Sequence, residues 1–382
     1  MEKEPLIIAE LGTAHGGDTV KARELIAAAA ESGADCIKCQ IVFADEILHP
    51  KTGLVRLPGG EIPLYDVFKG LEQDEDFYRR MKDDAETRGL LFLATPFGPK
   101  SAALLKNLRP NAVKIASPEL NYTALLEETA SWGVPVYLST GVSTLGDIEE
   151  AVSTILRVLT GMPEKDSTVP NENTLAPEES AGKGRDITLL HCITAYPAPP
   201  DEYNLRILPN LAGIFGFPAG LSDHSLDPVL VPVLGAALGA AALEKHFCLS
   251  RSDTGLDDPI ALEPSAFARM SSAVRRAASM EKESVIEEMK AEFGPDLVEK
   301  TLGNGIKALA PSESGNYGRT NRSIHALRDI AQGETIRADA VRVLRTEKIL
   351  RPGIHPRWEK DLPGRKARNF IPAGEGIRLE DI

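Results

Sequence analysis

The chain is poor in the features that mark several large classes of protein. Only four of its 382 residues are cysteine, too few for a disulfide framework at this length. No run of about 18 apolar residues occurs, so no membrane span is predicted. Positively charged residues are outnumbered, since the chain has 43 Lys and Arg residues and 56 Asp and Glu residues. A nucleic-acid-binding surface is therefore not expected, and a cytoplasmic protein is predicted.

The two closest cysteines, Cys36 and Cys39, have the spacing of a redox or zinc pair. Their segment nevertheless reads as a buried strand, in which side chains alternate between the two faces. Positions 36 and 39 then point to opposite sides. Free thiols are expected instead.

Short apolar runs alternate with helical patterns through about the first 250 residues, which is typical of a parallel α/β fold. Eight such runs favour a (β/α)8 barrel over a doubly wound sheet. Only the sixth helix lacks a clear pattern, and Leu205–Phe215 is its one candidate. The predicted strands are Leu6–Leu11, Cys36–Ile41, Leu90–Thr95, Ala112–Ala116, Val134–Ser139, Ile187–Cys192, Pro218–Ser222 and Ala242–His246.

The predicted domains are a barrel over residues 1–285, a linker over 286–320 and a small β-rich domain over 321–382. Turn signals are frequent in the last of these, and two of its blocks, 327–334 and 367–375, resemble each other, which indicates an internal two-fold repeat. Two loops are long. Phe43–Lys69 lies on the active face as a candidate lid, and Gly161–Arg185 has the composition of a mobile insertion on the opposite face.

Histidines follow the last two predicted strands, in Gly220–His224 and in Glu244–Phe247. The carboxyl ends of barrel strands converge on the site. Two neutral imidazoles there would hold a divalent metal and leave its other positions open. Capping histidines are the alternative, but the pair, His224 and His246, favours a metal site.

Two lysines, Lys38 and Lys114, lie in apolar strands and need partners, because a buried ammonium is costly. One interpretation is a pair of internal salt bridges, Lys38 with Glu10 and Lys114 with Glu119. The other is a site for a small, doubly anionic ligand such as phosphoenolpyruvate. The hydroxyls of Thr95, Ser117 and Ser139 at neighbouring strand ends would supply further donors.

Two further residues are candidates with open roles. Glu10 is either an acid/base group or only the partner of Lys38. Tyr196, in the extended loop before Pro197, either packs a sugar ring or staples the loop.

Taken together, these segments resemble the N-acetylneuraminate (sialic acid) synthase family, in order and in spacing. The tail from Asn321 to Ile382 is similar to that family's antifreeze-like (SAF) domain. The matching strings are Ile7–Gly12, Ile37–Gln40, Ala94–Phe97, Val113–Ser117, Leu138–Gly141, Leu190–Cys192 with Tyr196-Pro197, Gly220–His224 and Glu244–Phe247.

The resemblance implies condensation of phosphoenolpyruvate with an open-chain N-acylated amino sugar, such as N-acetylmannosamine or a related hexose, giving a nonulosonic acid and phosphate. His224 and His246 would bind the divalent metal, Mn²⁺ with Mg²⁺ or Co²⁺ as alternatives. Glu10 and Glu119 would be the catalytic carboxylates. The phosphoenolpyruvate ligands would be Lys38, Thr95, Lys114, Ser117, Ser139 and Ser222, and the sugar ligands Gln40, Tyr196, Asp257 and Arg322.

The resemblance also implies a domain-swapped homodimer, in which Arg322 reaches the partner subunit's site and contacts the N-acyl group. Three departures from the family pattern, Ala14, Pro118 and Thr194, leave the acceptor sugar open. The alternatives are another phosphoenolpyruvate–aldose synthase, or a non-catalytic carbohydrate-binding homologue in surface polysaccharide biosynthesis.

Overall fold

The structure is a computed structural model that describes residues 4–57, 60–161, 187–253 and 255–382. Nearly all of the predicted insertion Gly161–Arg185 therefore lies outside the described residues. The described strands are β1 Leu6–Gly12, β2 Cys36–Ile41, β3 Leu54–Leu57, β4 Gly60–Pro63, β5 Leu91–Pro96, β6 Val113–Ile115, β7 Val136–Ser139, β8 Ile187–Cys192, β9 Ala219–Asp223, β10 Ala242–His246, β11 Arg322–Ala326 and β12 Val341–Arg345.

Helices connect these strands as the sequence pattern predicts, and the sixth barrel helix is present as α8. The described helices are α1 Thr19–Glu31, α2 Ala44–Ile47, α3 Leu64–Gly70, α4 Glu75–Thr87, α5 Pro99–Asn107, α6 Thr123–Ala130, α7 Leu145–Thr160, α8 Ile207–Phe215, α9 Leu230–Ala237, α10 Pro264–Ala278, α11 Lys282–Phe293, α12 Pro295–Leu302 and α13 Pro311–Ser314.

Eight of the strands close into a parallel barrel in the order β1-β10-β9-β8-β7-β6-β5-β2. The predicted (β/α)8 fold, followed by a small β-rich domain, is thereby confirmed. The eight predicted strands match these eight to within two residues at each end. Short apolar runs flanked by polar turns locate buried parallel strands well, because both faces of such strands are covered.

The alternation of strand side chains divides the barrel strands between two cores. Ile8, Leu93 and Ala242 form a small apolar cluster inside the barrel together with Cys36. Cys39 belongs instead to the large core between strands and helices. The cysteines at 36 and 39 thus face opposite sides, and all four cysteines are free.

Helix boundaries follow local capping chemistry. Asp18 caps α1 by accepting a hydrogen bond from Val20 N at 2.7 Å, and Asp74 caps α4 through Phe77 N at 2.9 Å. A reciprocal capping box of Thr144 and Asp147 begins α7. Each cap satisfies backbone donors that the first helical turn leaves free.

The candidate lid, Phe43–Lys69, is not an irregular loop. It contains the helices α2 and α3 and the β3–β4 hairpin. It packs against the tail domain, where Thr52 Oγ1 donates to Thr346 O at 3.1 Å. Its movement as a lid stays a prediction.

The tail domain is built around the antiparallel pair β11–β12. Its two similar sequence blocks meet at Ile330 and Ile371, whose backbone groups exchange two hydrogen bonds of 2.9 Å each. Short 3-10 turns at Ala338–Ala340 and Leu379–Asp381 follow the two blocks. This pairing is the arrangement that an internal two-fold repeat predicts.

Residue 285, the predicted end of the barrel domain, lies inside α11. Among the residues described, no helix is long and apolar enough to cross a membrane.

Candidate active site

The candidate site is the interior of the barrel at the carboxyl ends of its strands. Strand alternation places every second residue there, above the apolar cluster formed by Ile8, Leu93 and Ala242. Neighbouring strands bring these residues into register, with Glu10 beside both Lys38 and His246. The polar residues that this alternation turns inward are Glu10, Lys38, Gln40, Thr95, Lys114, Ser222, His224, Glu244 and His246.

Both predicted lysines bind the same carboxylate oxygen. Lys38 Nζ lies 3.3 Å and Lys114 Nζ lies 3.5 Å from Glu244 Oε1. Lys38 also pairs with Glu10 Oε2 at 3.1 Å, so this half of the salt-bridge hypothesis is confirmed. The other half is wrong: Lys114 pairs with Glu244 and not with Glu119.

Glu244 is the acidic centre of this cluster. It also accepts a hydrogen bond from Ser222 Oγ at 2.9 Å. Burial would raise its pKa, but the charges of Lys114 and Lys38 outweigh burial and lower the pKa to about 2. Sequence reasoning noted Glu244 at a strand end but assigned it no role. Its position two residues before His246 was the signal, because residues two apart in a strand share a face.

Several buried polar atoms around this cluster have no hydrogen-bond partner among the described residues. They include Thr95 Oγ1, Ser139 Oγ and Glu244 Oε2. Orphaned polar atoms are rare in folded proteins and are costly without a ligand or water. The two hydroxyls are therefore available to bind a polar ligand or water at this end of the barrel.

Ser117 belongs to the same end of the barrel, at the start of a 3-10 turn after β6. Its hydroxyl accepts a hydrogen bond from Gly141 N at 3.0 Å and lies 3.2 Å from Cys192 Sγ. Gly141 follows β7, which ends at Ser139. Ser117 thus lies next to the ends of β7 and β8, and its binding of the anion stays a prediction.

The predicted metal ligands, His224 and His246, lie side by side with ring centroids 5.5 Å apart. His224 Nδ1 lies 2.6 Å from Ile193 O, a contact that leaves Nε2 as the free nitrogen. Burial lowers the pKa of His224 to about 4 and that of His246 well below its usual value. Both rings are accordingly neutral near pH 7, as metal ligands must be.

The two histidines have no third protein ligand among the residues that the structure describes. Within the described ranges, no group of three or more His, Cys, Asp or Glu side chains is arranged to hold a metal ion. The nearest carboxylate is that of Asp257, whose Oδ2 lies 3.8 Å from His246 Nδ1. The two imidazoles fit an open site, in which other positions are left to substrate and water.

Two of the predicted sugar ligands, Tyr196 and Asp257, lie beside the histidines. The Tyr196 ring stacks on the His224 ring at 4.3 Å and meets the His246 ring edge-on at 5.9 Å. A third, Gln40, donates from Nε2 to Glu10 Oε1 at 2.9 Å, whereas the fourth, Arg322, binds Glu119 instead. Burial and the Glu10 charge raise the pKa of Asp257 to about 7.

Gly12 marks the point where three of these groups converge. Its φ is +53°, and a Cβ there would lie 3.4 Å from Asp257 Oδ2 and 3.5 Å from both Gln40 Nε2 and Glu10 Oε1. A glycine therefore suits the backbone conformation and leaves the corner open.

Glu119 has partners that the sequence did not indicate. It receives Nε of Arg322 at 2.9 Å and both Nε and Nη2 of Arg345 at 2.9 Å. Arg322 also donates hydrogen bonds from Nη1 and Nη2 to the carbonyl oxygens of Glu46 and Phe97. Glu119 thus holds the tail domain on the barrel, and its catalytic role stays a prediction.

Both arginines reach the barrel of their own chain in the single chain described. The predicted reach of Arg322 into a partner subunit, and the domain-swapped dimer, stay predictions. Arg345 was missed because nothing in the local pattern of β12 distinguishes it from a surface arginine. Only its register opposite Arg322 across the β11–β12 pair brings it to Glu119.

Comparisons with known proteins show relatives along nearly the whole chain. A relative from Campylobacter jejuni, N,N'-diacetyllegionaminic acid synthase, is 32% identical over 87% of each chain. A pseudaminic acid synthase from the same species is 31% identical over 100% of this chain and 97% of its own. The crystal structure of the spore coat polysaccharide biosynthesis protein SpsE from Bacillus subtilis superposes with a TM-score of 0.78. It is 30% identical, over 100% of this chain and 96% of that chain.

Family models give the same assignment for both parts of the chain. The SAF domain matches residues 321–382, which confirms the resemblance of the tail. The NeuB family matches residues 25–285, more than half of the chain. This chain is therefore a synthase-type enzyme that belongs to the NeuB family and carries a C-terminal SAF domain.

Proposed function

We propose that the protein condenses phosphoenolpyruvate with an open-chain N-acylated amino sugar to form a nonulosonic acid and phosphate. The observation that carries this proposal is the pair of buried lysines, Lys38 and Lys114, which share one carboxylate. At the same end of the barrel, the hydroxyls of Thr95 and Ser139 have no hydrogen-bond partner within the described part of the chain. A small ligand with two anionic groups would take up these donors. The relatives named as synthases of legionaminic and pseudaminic acid support the same class of product.

In this reaction, C3 of phosphoenolpyruvate forms the new bond to the aldehyde carbon of the sugar, water adds at C2, and phosphate leaves. Lys38, Lys114 and Ser222 would bind the anionic ligand. Glu10 accepts a hydrogen bond from Gln40, pairs with Lys38 and is in register with His246. It would accept the proton of the attacking water. Burial raises the pKa of Glu10, which suits a group that accepts and returns a proton.

A divalent metal, Mn²⁺ or alternatively Mg²⁺ or Co²⁺, is part of this proposal. His224 and His246 would hold it, because both rings are neutral and His224 is oriented by its contact with Ile193 O. When bound, such a metal supplies Lewis acidity to the aldehyde oxygen. Tyr196, stacked on His224, would pack the sugar against this site.

The test is phosphate release from phosphoenolpyruvate with a panel of N-acyl aldoses and added Mn²⁺, with the product identified by mass. We expect release only with an acceptor sugar, and its loss in His224→Ala and His246→Ala, with the fold of both variants checked by circular dichroism. His355→Ala, at a histidine of the tail domain, is the control. Near-normal turnover by either site variant in metal-replete buffer would contradict the two-histidine site. Absence of release with every sugar would contradict the proposed reaction.

A further inference from the structure

The linker before the tail domain holds two loops of the barrel by their backbone groups. Glu313, at the end of the linker helix α13, is buried, and its Oε2 accepts hydrogen bonds from Val142 N at 2.9 Å and Thr194 N at 2.8 Å. These two amides lie in the loops that follow β7 and β8. One carboxylate therefore ties together two loops that are more than 50 residues apart in sequence.

Three more side chains, two from the linker and one from the first residue of the tail domain, satisfy carbonyl oxygens of these two loops. Asn321 Nδ2 donates to Val142 O at 3.1 Å and Asn316 Nδ2 to Thr194 O at 3.2 Å. Lys307 Nζ donates to Thr140 O at 2.9 Å. We call Lys307, Glu313, Asn316 and Asn321 the linker strap. Val142 and Thr194 each have both their N–H and their C=O bound by it.

Val142 needs such support. Its φ is +40°, in the left-handed region that β-branched residues rarely adopt. A residue in that region persists only where its surroundings hold it. Glu313 accepts a hydrogen bond from the Val142 N–H, and Asn321 donates one to the Val142 carbonyl oxygen. Together they hold the strained backbone of Val142 in place.

The supported loops carry part of the proposed anion site. Gly141, next to Val142, donates its N–H to Ser117 Oγ at 3.0 Å, and Ser139 precedes it by two residues. Gly141 is closely packed, because a Cβ there would lie 2.4 Å from Thr194 Oγ1 and 2.7 Å from Cys192 Sγ. A shift of either loop would therefore displace the hydroxyls of Ser117 and Ser139.

We infer that the linker strap sets the affinity of the barrel for phosphoenolpyruvate. Glu313 is a positioning residue, which acts by holding Val142, Gly141 and hence Ser117 and Ser139 in their binding arrangement. This inference rests on the proposed function for the identity of the anion. It adds that docking of the linker and binding of the anion are coupled, since both depend on one conformation of the loop after β7.

Calorimetric titration of the full chain with phosphoenolpyruvate tests this inference. We expect Glu313→Ala to weaken binding at least about tenfold, and Asn321→Ala to weaken it in the same direction. Glu313→Gln keeps an oxygen acceptor and should stay near the parent affinity. Glu299→Ala removes an exposed carboxylate of the same linker and serves as the matched control.

A second substitution distinguishes positioning from general loss of structure. Glycine adopts left-handed φ without strain, so Val142→Gly added to Glu313→Ala should recover part of the lost affinity. Parent-like binding by Glu313→Ala and Asn321→Ala would overturn the inference. Equal weakening in the double variant and in Glu313→Ala would also overturn it.

Hydrogen exchange separates failure of this inference from failure of the proposed function. If the unmodified chain does not bind phosphoenolpyruvate, the proposed function fails. The strap is then judged by the amides of Val142 and Thr194, which should exchange faster in Glu313→Ala but not in Glu299→Ala. Unchanged protection of these amides would overturn the strap itself.

Discussion

At the scale of single residues, the barrel interior balances charges that would be costly alone. Lys38 and Lys114 face the carboxylates of Glu10 and Glu244 in a buried space. Burial and the neighbouring Glu244 raise the pKa of Glu10, so this carboxyl is the more easily protonated of the two. Protonation of Glu10 would leave two lysines facing one carboxylate, and an incoming anion would then restore the balance of charge.

The two lysines yield the first prediction. Lys38→Met and Lys114→Met should each raise the KM for phosphoenolpyruvate by about 10- to 100-fold, because a charge-assisted contact contributes about 1.5–3 kcal/mol. Steady-state kinetics measure this effect. Lys100→Met is the control, since Lys100 lies at the same end of the barrel but outside its interior. An unchanged KM with a lowered Tm would instead assign the lysines a purely structural role.

A second prediction concerns pH and His325. This buried residue contacts Gly374 O at 2.8 Å and Ser323 Oγ at 3.0 Å, and burial lowers its pKa to about 4. Between pH 6.5 and 4 the unfolded chain binds a proton here that the native chain does not. The free energy of unfolding should therefore fall as pH falls through that window, by about 3 kcal/mol at most.

Denaturant unfolding at about pH 7 and about pH 5 measures this effect. His325→Gln should show a smaller difference between the two pH values than the parent chain, because the titrating group is gone. Other buried histidines contribute equally to both proteins and cancel in the comparison. Identical pH dependence in the two proteins would contradict the assignment.

At the scale of elements, the β11–β12 pair acts as a two-armed clamp. Arg322 and Arg345 face each other in register and both bind Glu119, whose side chain is fully buried. Planar guanidinium groups suit this shared, bidentate contact. The clamp joins the tail domain to the 3-10 turn that follows β6.

The third prediction therefore concerns Glu119. Glu119→Gln removes the charge that the buried guanidinium of Arg322 shares with the partly buried guanidinium of Arg345, and breaking a buried pair typically costs about 3–5 kcal/mol. We expect faster limited proteolysis of the linker and faster hydrogen exchange in β11 and β12. Glu128→Gln, at an exposed glutamate of α6 that pairs with Lys106, is the control. Loss of activity with unchanged proteolysis would assign Glu119 to catalysis alone.

At the scale of the whole molecule, a tail domain can contact the barrel of its own chain or the barrel of a partner subunit. In the described chain, Arg322 binds Glu119 of its own barrel, whereas the family resemblance implies exchange between two subunits. If tails were exchanged, the contact between Arg322 and Glu119 would form between two chains.

Mixing two variants that are each expected to be impaired, Arg322→Ala and Lys114→Met, is the fourth test. If tails are exchanged, one site of the mixed dimer carries neither defect, and activity should reappear after subunit exchange. Lys38→Met mixed with Lys114→Met is the control, because both defects lie in barrels and no intact site can form. Lack of recovery, with exchange shown by mass spectrometry, would mean that each tail serves its own barrel.

The sequence by itself determined the barrel and much of its lining. Apolar runs located all eight barrel strands to within two residues, and the alternation of strand side chains predicts which residues share a face. These inferences succeed because strand period and burial are local properties. The same argument correctly separated Cys36 from Cys39.

Tertiary structure alone decided which of these residues meet. Lys114 pairs with Glu244, 130 positions away, and not with Glu119, only five away. Glu119 instead binds two arginines of the tail, and Glu313 binds the backbone of two distant loops. Alternation states which face a side chain takes, but partners across a closed barrel and between domains depend on strand order and docking, which no local pattern encodes.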